Sequence, residues 1–180
     1  MDATLTELIN RYAGGLPVLD HAAAAVAQWG VEAMVLLVVA SWWMKDMRLR
    51  HRHLAISAGL ALLLGEGLNQ LVLLAVHRPR PFDAGVSHLI VPPSADWSFP
   101  SDHATAVTAI AAIFLIKGAR LQGAGLAGLG LMIALSRAYV GLHYVGDLVG
   151  GACTGLLAAL AVNRLWRAGN SVEAHLVRIF

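Results

Sequence analysis

Cysteine is almost missing from this sequence, Cys153 standing alone among 180 residues. No intramolecular disulfide can form, and no thiolate cluster is available for a metal. Charge is scarce as well. Asp, Glu, Lys and Arg make up 13% of the chain against 58% apolar residues, and the mean hydropathy is +0.66; soluble domains carry about 25% charge. Proline is nearly absent from the apolar runs, because five of the six (Pro79, Pro81, Pro92, Pro93 and Pro100) fall between His77 and Pro100. The N-terminus has neither a basic leader nor a small-residue cleavage site, so no removable signal peptide is expected. No internal repeat or low-complexity tract is visible.

What the chain does have is long apolar runs, near 21–44, 54–76, 101–119, 121–142 and 145–166. A bilayer core needs about 20 helical residues, so the expectation is an all-α, polytopic bundle of about five transmembrane helices. The third run is the shortest, and its SFPSDH end must count toward one interface. Leu5, Leu8, Ile9 and Tyr12 recur at helical spacing, which fits a short interfacial helix over residues 3–13 or one packed on the bundle. The whole of 1–180 reads as a single domain with an active-site loop at about 77–101, since irregular segments of that length in compact bundles are usually functional.

Nine of the 13 Lys and Arg residues flank one side of the spans: Lys45, Arg48, Arg50, Arg52, Lys117, Arg120, Arg164, Arg167 and Arg178. Basic loops face the cytoplasm, which puts Arg11, Arg78, Arg80 and Arg137 at the outer side. Trp42, Trp43 and Trp166 fit either an aromatic belt at the cytoplasmic interface or ordinary lipid-facing positions. Glycines crowd the last two spans (Gly123, Gly125, Gly128, Gly130; Gly146, Gly150, Gly151, Gly155) and are read as close helix packing.

Polar groups that a membrane chain carries at a cost mark the candidate site. Arg137 lies within the fourth span, where a guanidinium costs about 2.5–3.5 kcal/mol at the bilayer centre and less near the interface. His143 follows six residues later and Asp147 four after that, near enough for the carboxylate to accept the imidazole N–H and prepare a nucleophile. Ser101 is a good N-cap for the third span, leaving free N–H groups and the positive dipole end to bind an anion beside His103. Arg80 in RPRPF supplies a forked donor suited to phosphate oxygens. These clusters together describe a phosphoryl-transfer site with no carboxylate or cysteine cluster that suggests a metal.

RPF, then PSDH, then SR with five intervening residues before His143 and three more before Asp147, resembles the three motifs of the type-2 phosphatidic acid phosphatase superfamily of membrane lipid phosphatases. The resemblance implies that His143 attacks phosphorus and becomes phosphohistidine, that Asp147 holds its ring, and that His103 protonates the leaving oxygen. It implies phosphate binding by Arg80, Arg137 and Ser101, and no metal or other cofactor. Two positions depart from the family pattern: Leu73 stands where a Lys is usual, for which Arg78 is a candidate replacement, and Asp102 stands where Gly is usual; both Arg78 and Asp102 are counted among the candidate phosphate-binding residues. Both departures resemble the small bacterial undecaprenyl-diphosphate phosphatases, which implies hydrolysis of that lipid to undecaprenyl phosphate and inorganic phosphate at the outer face of the bacterial inner membrane. The partners expected are the polyprenyl diphosphate and membrane lipids, with no nucleic acid.

Glu66 and Asn69 in the second span are candidates for a supporting role below the pocket, with interhelical hydrogen bonding as the alternative for them and for Gln70. Glu32 reads as structural or partly solvated. His77, Asp83, His88 and Asp96 read as solvated loop residues within reach of a headgroup, Tyr139 as a brace for the loop, and His21, His51, His53 and His175 as surface groups. The rival functions are another lipid phosphatase, acting on phosphatidylglycerol phosphate, phosphatidate or a lipid A phosphate, and a non-catalytic transporter using Glu32, Glu66 and the histidines as a relay.

Overall fold

The structure, a computed structural model, describes residues 1–44 and 48–166; Lys45, Arg167, His175 and Arg178 lie outside the described residues. Six α-helices follow in order: α1 (Asp2–Asn10), α2 (Pro17–Ala40), α3 (Arg48–Leu73), α4 (Asp102–Ile116), α5 (Arg120–Tyr139) and α6 (Val145–Leu165), with one 3₁₀ turn at Ser41–Trp43 after α2. No strand occurs among the described residues. Four helices are long and apolar enough to cross a bilayer: α2 with its 3₁₀ turn, α3, α5 and α6. The chain is thus a multi-pass membrane protein with the all-α architecture expected.

The fifth expected span, α4, has 15 residues, about 22 Å at 1.5 Å per residue. It falls short of a bilayer core because it is not a lipid-facing wall. It packs against α3, α5 and α6, and ten of its residues are buried, among them Val107, Ile110, Ile113 and Phe114. Helices in lipid gain no water-driven attraction, so close packing of small side chains must hold them. The alanines of α4 and the glycines of α6 supply it. A Cβ on Gly151 would lie 2.3 Å from the Ser101 carbonyl oxygen, and one on Gly155 would lie 2.4 Å from that of Thr105. Gly125 and Gly128 face open space instead, so the packing role expected of all eight glycines does not extend to these two.

Several boundaries differ from the apolar runs. α3 begins at Arg48, because Arg and Leu are good helix formers and the polar first turns extend the span beyond its apolar part. His51 and Arg52 are buried there rather than at the surface. The His51 ring meets the Gln122 amide, His53 pairs with Lys117 at 2.8 Å, and the Arg52 guanidinium sits over the Trp42 ring. Of the two readings open for α1, the helix packs on the bundle through its polar side and keeps its apolar stripe outward. Leu5, Leu8 and Tyr12 are exposed, while the polar Thr6 and Asn10 are buried against the bundle, because these two find hydrogen-bond partners there. Thr6 Oγ1 accepts from Val145 N, and Asn10 Nδ2 donates to the carbonyls of His88 and Tyr139.

The alternation of helices places α1, the start of α2, the 74–101 loop and the α5–α6 junction at one end of the bundle, with Arg11, Arg78, Arg80 and Arg137. Arg48, Arg50, Arg52, Lys117, Arg120 and Arg164 gather at the other end.

Candidate active site

Three segments meet at the first of these ends. The α5–α6 junction is pinned by Gly141, whose φ of +88° is open to glycine and disfavoured elsewhere; an added Cβ would come 2.6 Å from the His88 carbonyl oxygen. The loop is stitched alongside it by Ile90 N donating to Val140 O and by Ser87 Oγ donating to Gly141 O. α4 is fixed from the other side, where Ser101 N donates to the Asp147 carbonyl at 3.1 Å. Four residues expected to act together, Arg80, His103, Arg137 and His143, line one cavity of about 140 Å³ with Asp102, room for several waters and so for a phosphate group.

His143 is 3% exposed. Its Nδ1 lies 2.9 Å from the Ser98 carbonyl oxygen, a partner that can only accept, so Nδ1 carries the proton. Nε2 is left with its lone pair toward Arg80 Nη1, 3.3 Å away. Burial pushes the imidazole below the ordinary histidine value; the Asp147 carboxylate opposes this, and the Arg80 and Arg137 guanidiniums add to the fall. The result is a neutral ring with a nucleophilic edge.

Asp147 does not do what its spacing suggested. Its Oδ2 is 3.6 Å from His143 Nδ1, too far for a hydrogen bond. The carboxylate is fully buried and spent elsewhere: Oδ2 accepts from Ser98 Oγ at 2.5 Å and Tyr144 N at 2.8 Å, and Oδ1 from Arg78 at 2.7 Å. As the third residue of α6 it reaches back to the helix start, and by holding Ser98 it fixes the carbonyl that orients the ring.

Arg78 is accordingly outside the cavity. Its guanidinium bridges Asp147 and Asp2, at 2.7 and 2.6 Å, and lies over the Tyr144 ring. Ser101 caps α4 but is fully buried, and its Oγ is 3.5 Å from Ala104 N; it does not line the cavity either. Arg80 is 3% exposed and has its fork occupied: Nη2 donates to Asp96 Oδ1 at 2.6 Å, Nε to the Asp96 carbonyl, and Nη1 to the Leu142 carbonyl. Asp96 is exposed, as its reading as a solvated loop residue expected, and is also held by Arg80. Burial pushes its carboxyl up, but hydrogen bonds from Ser94 and Arg80 outweigh this and keep it below the usual carboxylate range. Arg137 donates to the Ala27 carbonyl of α2 at 2.9 Å and has a buried Nε with no partner.

Beneath the cavity, Asn69 is fully buried and donates to Asp102 Oδ1 and Thr105 Oγ1, both at 2.8 Å. The Glu66 carboxyl meets that of Asp102. Glu66 and Asn69 thus support the floor from α3, while Gln70 is exposed. Tyr139 braces α5 on α2 by donating to Asp20. Sequence reasoning missed Ser98 and Asp2, and it placed Asp96 near a headgroup without its bond to Arg80; the serine inside the SFPSDH stretch was the only available signal for the first.

Comparisons with known proteins agree with the geometry. A sequence model described as the PAP2 superfamily matches residues 54–170. The chain is 33% identical over 140 residues to the undecaprenyl-diphosphatase BcrC of Bacillus subtilis, covering 78% of this chain and 71% of the relative. It is 29% identical over 169 residues to the putative undecaprenyl-diphosphatase YbjG of Escherichia coli, covering 93% and 84%. Among solved structures, Aquifex aeolicus LpxE superimposes with a TM-score of 0.72 at 24% identity over 91% of this chain and 94% of that one, a likeness of fold.

Proposed function

This chain belongs to the PAP2 superfamily, and we propose that within it the protein hydrolyses undecaprenyl diphosphate to undecaprenyl phosphate and inorganic phosphate through a phosphohistidine. The observation that carries the proposal is the convergence of His143, His103, Arg80 and Arg137 on a single cavity. Two relatives that cover most of the chain are undecaprenyl-diphosphatases, one of them putative, which favours this lipid over other lipid phosphates. Leu73 lines the cavity where the family's usual Lys would add a cation, and Asp102 adds a carboxylate; both departures match the same subgroup.

In the reaction, the terminal phosphate displaces Asp96 from the Arg80 fork and takes the free edge of Arg137, so both guanidiniums meet the equatorial oxygens where charge develops. Nε2 of His143 attacks phosphorus in line. The ring proton stays on Nδ1, donated to the Ser98 carbonyl, which stabilises the charge that forms on the ring. His103 delivers a proton to the leaving oxygen, then takes one from the water that hydrolyses the phosphohistidine. Asp147 acts one step removed, by holding Ser98, Tyr144 and Arg78. The basic bundle end is assigned to the cytoplasm, placing the cavity at the outer face of the cell membrane.

The test is phosphate release from detergent-solubilised protein given undecaprenyl diphosphate with EDTA present. Release by the wild type and a loss of more than about 10³-fold in His143→Ala are expected; undiminished release in that variant rules out the mechanism.

A further inference from the structure

A second cavity, of about 290 Å³, adjoins the catalytic one and shares Ser94, His103 and Arg137 with it. Its remaining wall comes from α2, through Ala24, Gln28 and Glu32, and from the loop through Val91, Pro92 and Pro93. His143 lines only the first cavity, whereas His103 lines both. In-line displacement puts nucleophile and leaving oxygen on opposite sides of phosphorus. If His143 attacks from the first cavity and His103 meets the departing oxygen, the departing half of the substrate must continue past His103, into the second.

The geometry points to the cleft between α2 and the 91–94 segment as the binding site for the leaving half of the lipid, a phosphorylated polyprenol whose first apolar units lie along α2. This assignment rests on the phosphatase reading above. It selects against the larger space in the bundle, an apolar groove of about 510 Å³ between α5 and α6 floored by α4. That groove shares no residue with the catalytic cavity, and the general acid does not reach it. In the step itself the His143 Nε2–P bond forms and the bridging P–O bond breaks. The electron pair stays on the oxygen of the polyprenyl phosphate, which takes the His103 proton inside the cleft. Arg137, with its unpartnered Nε, stands between the cavities and is shared by both phosphates, while the Gln28 amide donates to the inner one. The apolar Ala24 and Val91 leave room for the chain.

The experiment compares Gln28→Trp, which fills the cleft from an exposed position on α2, with Ala127→Trp, which fills the other groove from an exposed position on α5. Each is assayed on undecaprenyl diphosphate and on p-nitrophenyl phosphate, whose leaving group has no chain to place along α2. Gln28→Trp should lower kcat/KM for the lipid by about tenfold or more and leave the aryl phosphate within about twofold, while Ala127→Trp changes neither. Retained aryl phosphate hydrolysis shows that the variant is folded. Ala24→Trp narrows the same cleft and should repeat the pattern if Gln28→Trp loses both activities. Loss of lipid hydrolysis from Ala127→Trp, or none from either cleft variant, overturns the assignment. A wild type inactive on both substrates sinks the phosphatase reading instead.

Discussion

The Nδ1 atom of His143 donates to the main-chain oxygen of Ser98 at 2.9 Å, and the carboxylate of Asp147, 3.6 Å from that atom, is hydrogen-bonded to the side chain of the same serine. A backbone carbonyl cannot be removed by substitution, so the two side chains around it should separate in their effects. Ser98→Ala keeps the carbonyl and should lower kcat by less than about tenfold. Asp147→Asn weakens the Arg78 ion pair and the α6 start together and should lower it by more than about a hundredfold. Steady-state rates for the two variants, with unfolding in detergent as a control, check the ordering.

The acid limb of kcat/KM should lie below the ordinary histidine value of about 6.5. His143 must be neutral to attack, and its value is lowered in the folded protein. The neutral form therefore persists as pH falls past 6.5, and activity is lost only on crossing the lowered value. Asp147 opposes that lowering, so whatever activity Asp147→Asn retains should show an acid limb moved to still lower pH. A wild-type limb centred above 6.5 contradicts the assignment.

Asp96 occupies the fork of Arg80 that a phosphate would use. Asp96→Asn removes the competing charge, and inorganic phosphate or vanadate should then inhibit at about three- to tenfold lower concentration. Inhibition constants measured at constant ionic strength decide this, and a weaker inhibitor in the variant would mean that Asp96 positions Arg80 rather than competing for it.

Arg78 lies outside the cavity, between Asp2 and Asp147. Arg78→Ala should lower kcat while leaving the vanadate inhibition constant within about twofold, because the phosphate never meets this guanidinium. A large rise in that constant would restore Arg78 to the phosphate-binding set.

Gly155→Ala forces a Cβ against the Thr105 carbonyl, 2.4 Å away, and should destabilise the bundle by about 1–3 kcal/mol as overpacked cores do. Gly125→Ala, facing open space, should be neutral or slightly stabilising. Thermal unfolding in detergent compares them.

The helices and the cluster of Arg80, His103, Arg137 and His143 were legible in the sequence because each rests on a local rule: apolar length, the cost of a buried guanidinium, a cap before an apolar run. What was not legible depends on distance across the chain. Asp96 and Arg80 are separated by 16 residues of irregular loop whose path no periodicity fixes. Which face of α1 turns inward was not legible, since an apolar stripe on a helix in lipid need not turn toward the protein when Thr6 and Asn10 have partners inside. The spacing of His143 and Asp147 was legible, but the bond between them was not, because the carboxylate found three stronger donors.

Helix α1 lies across the catalytic end, with Asp2 joined to Arg78 and to Gly146 N, and Asn10 joined to the loop. A purification tag or fluorescent fusion placed ahead of Met1 would therefore pull on the carboxylate that steadies Arg78. Enzymology on this protein should not rest on N-terminally extended material.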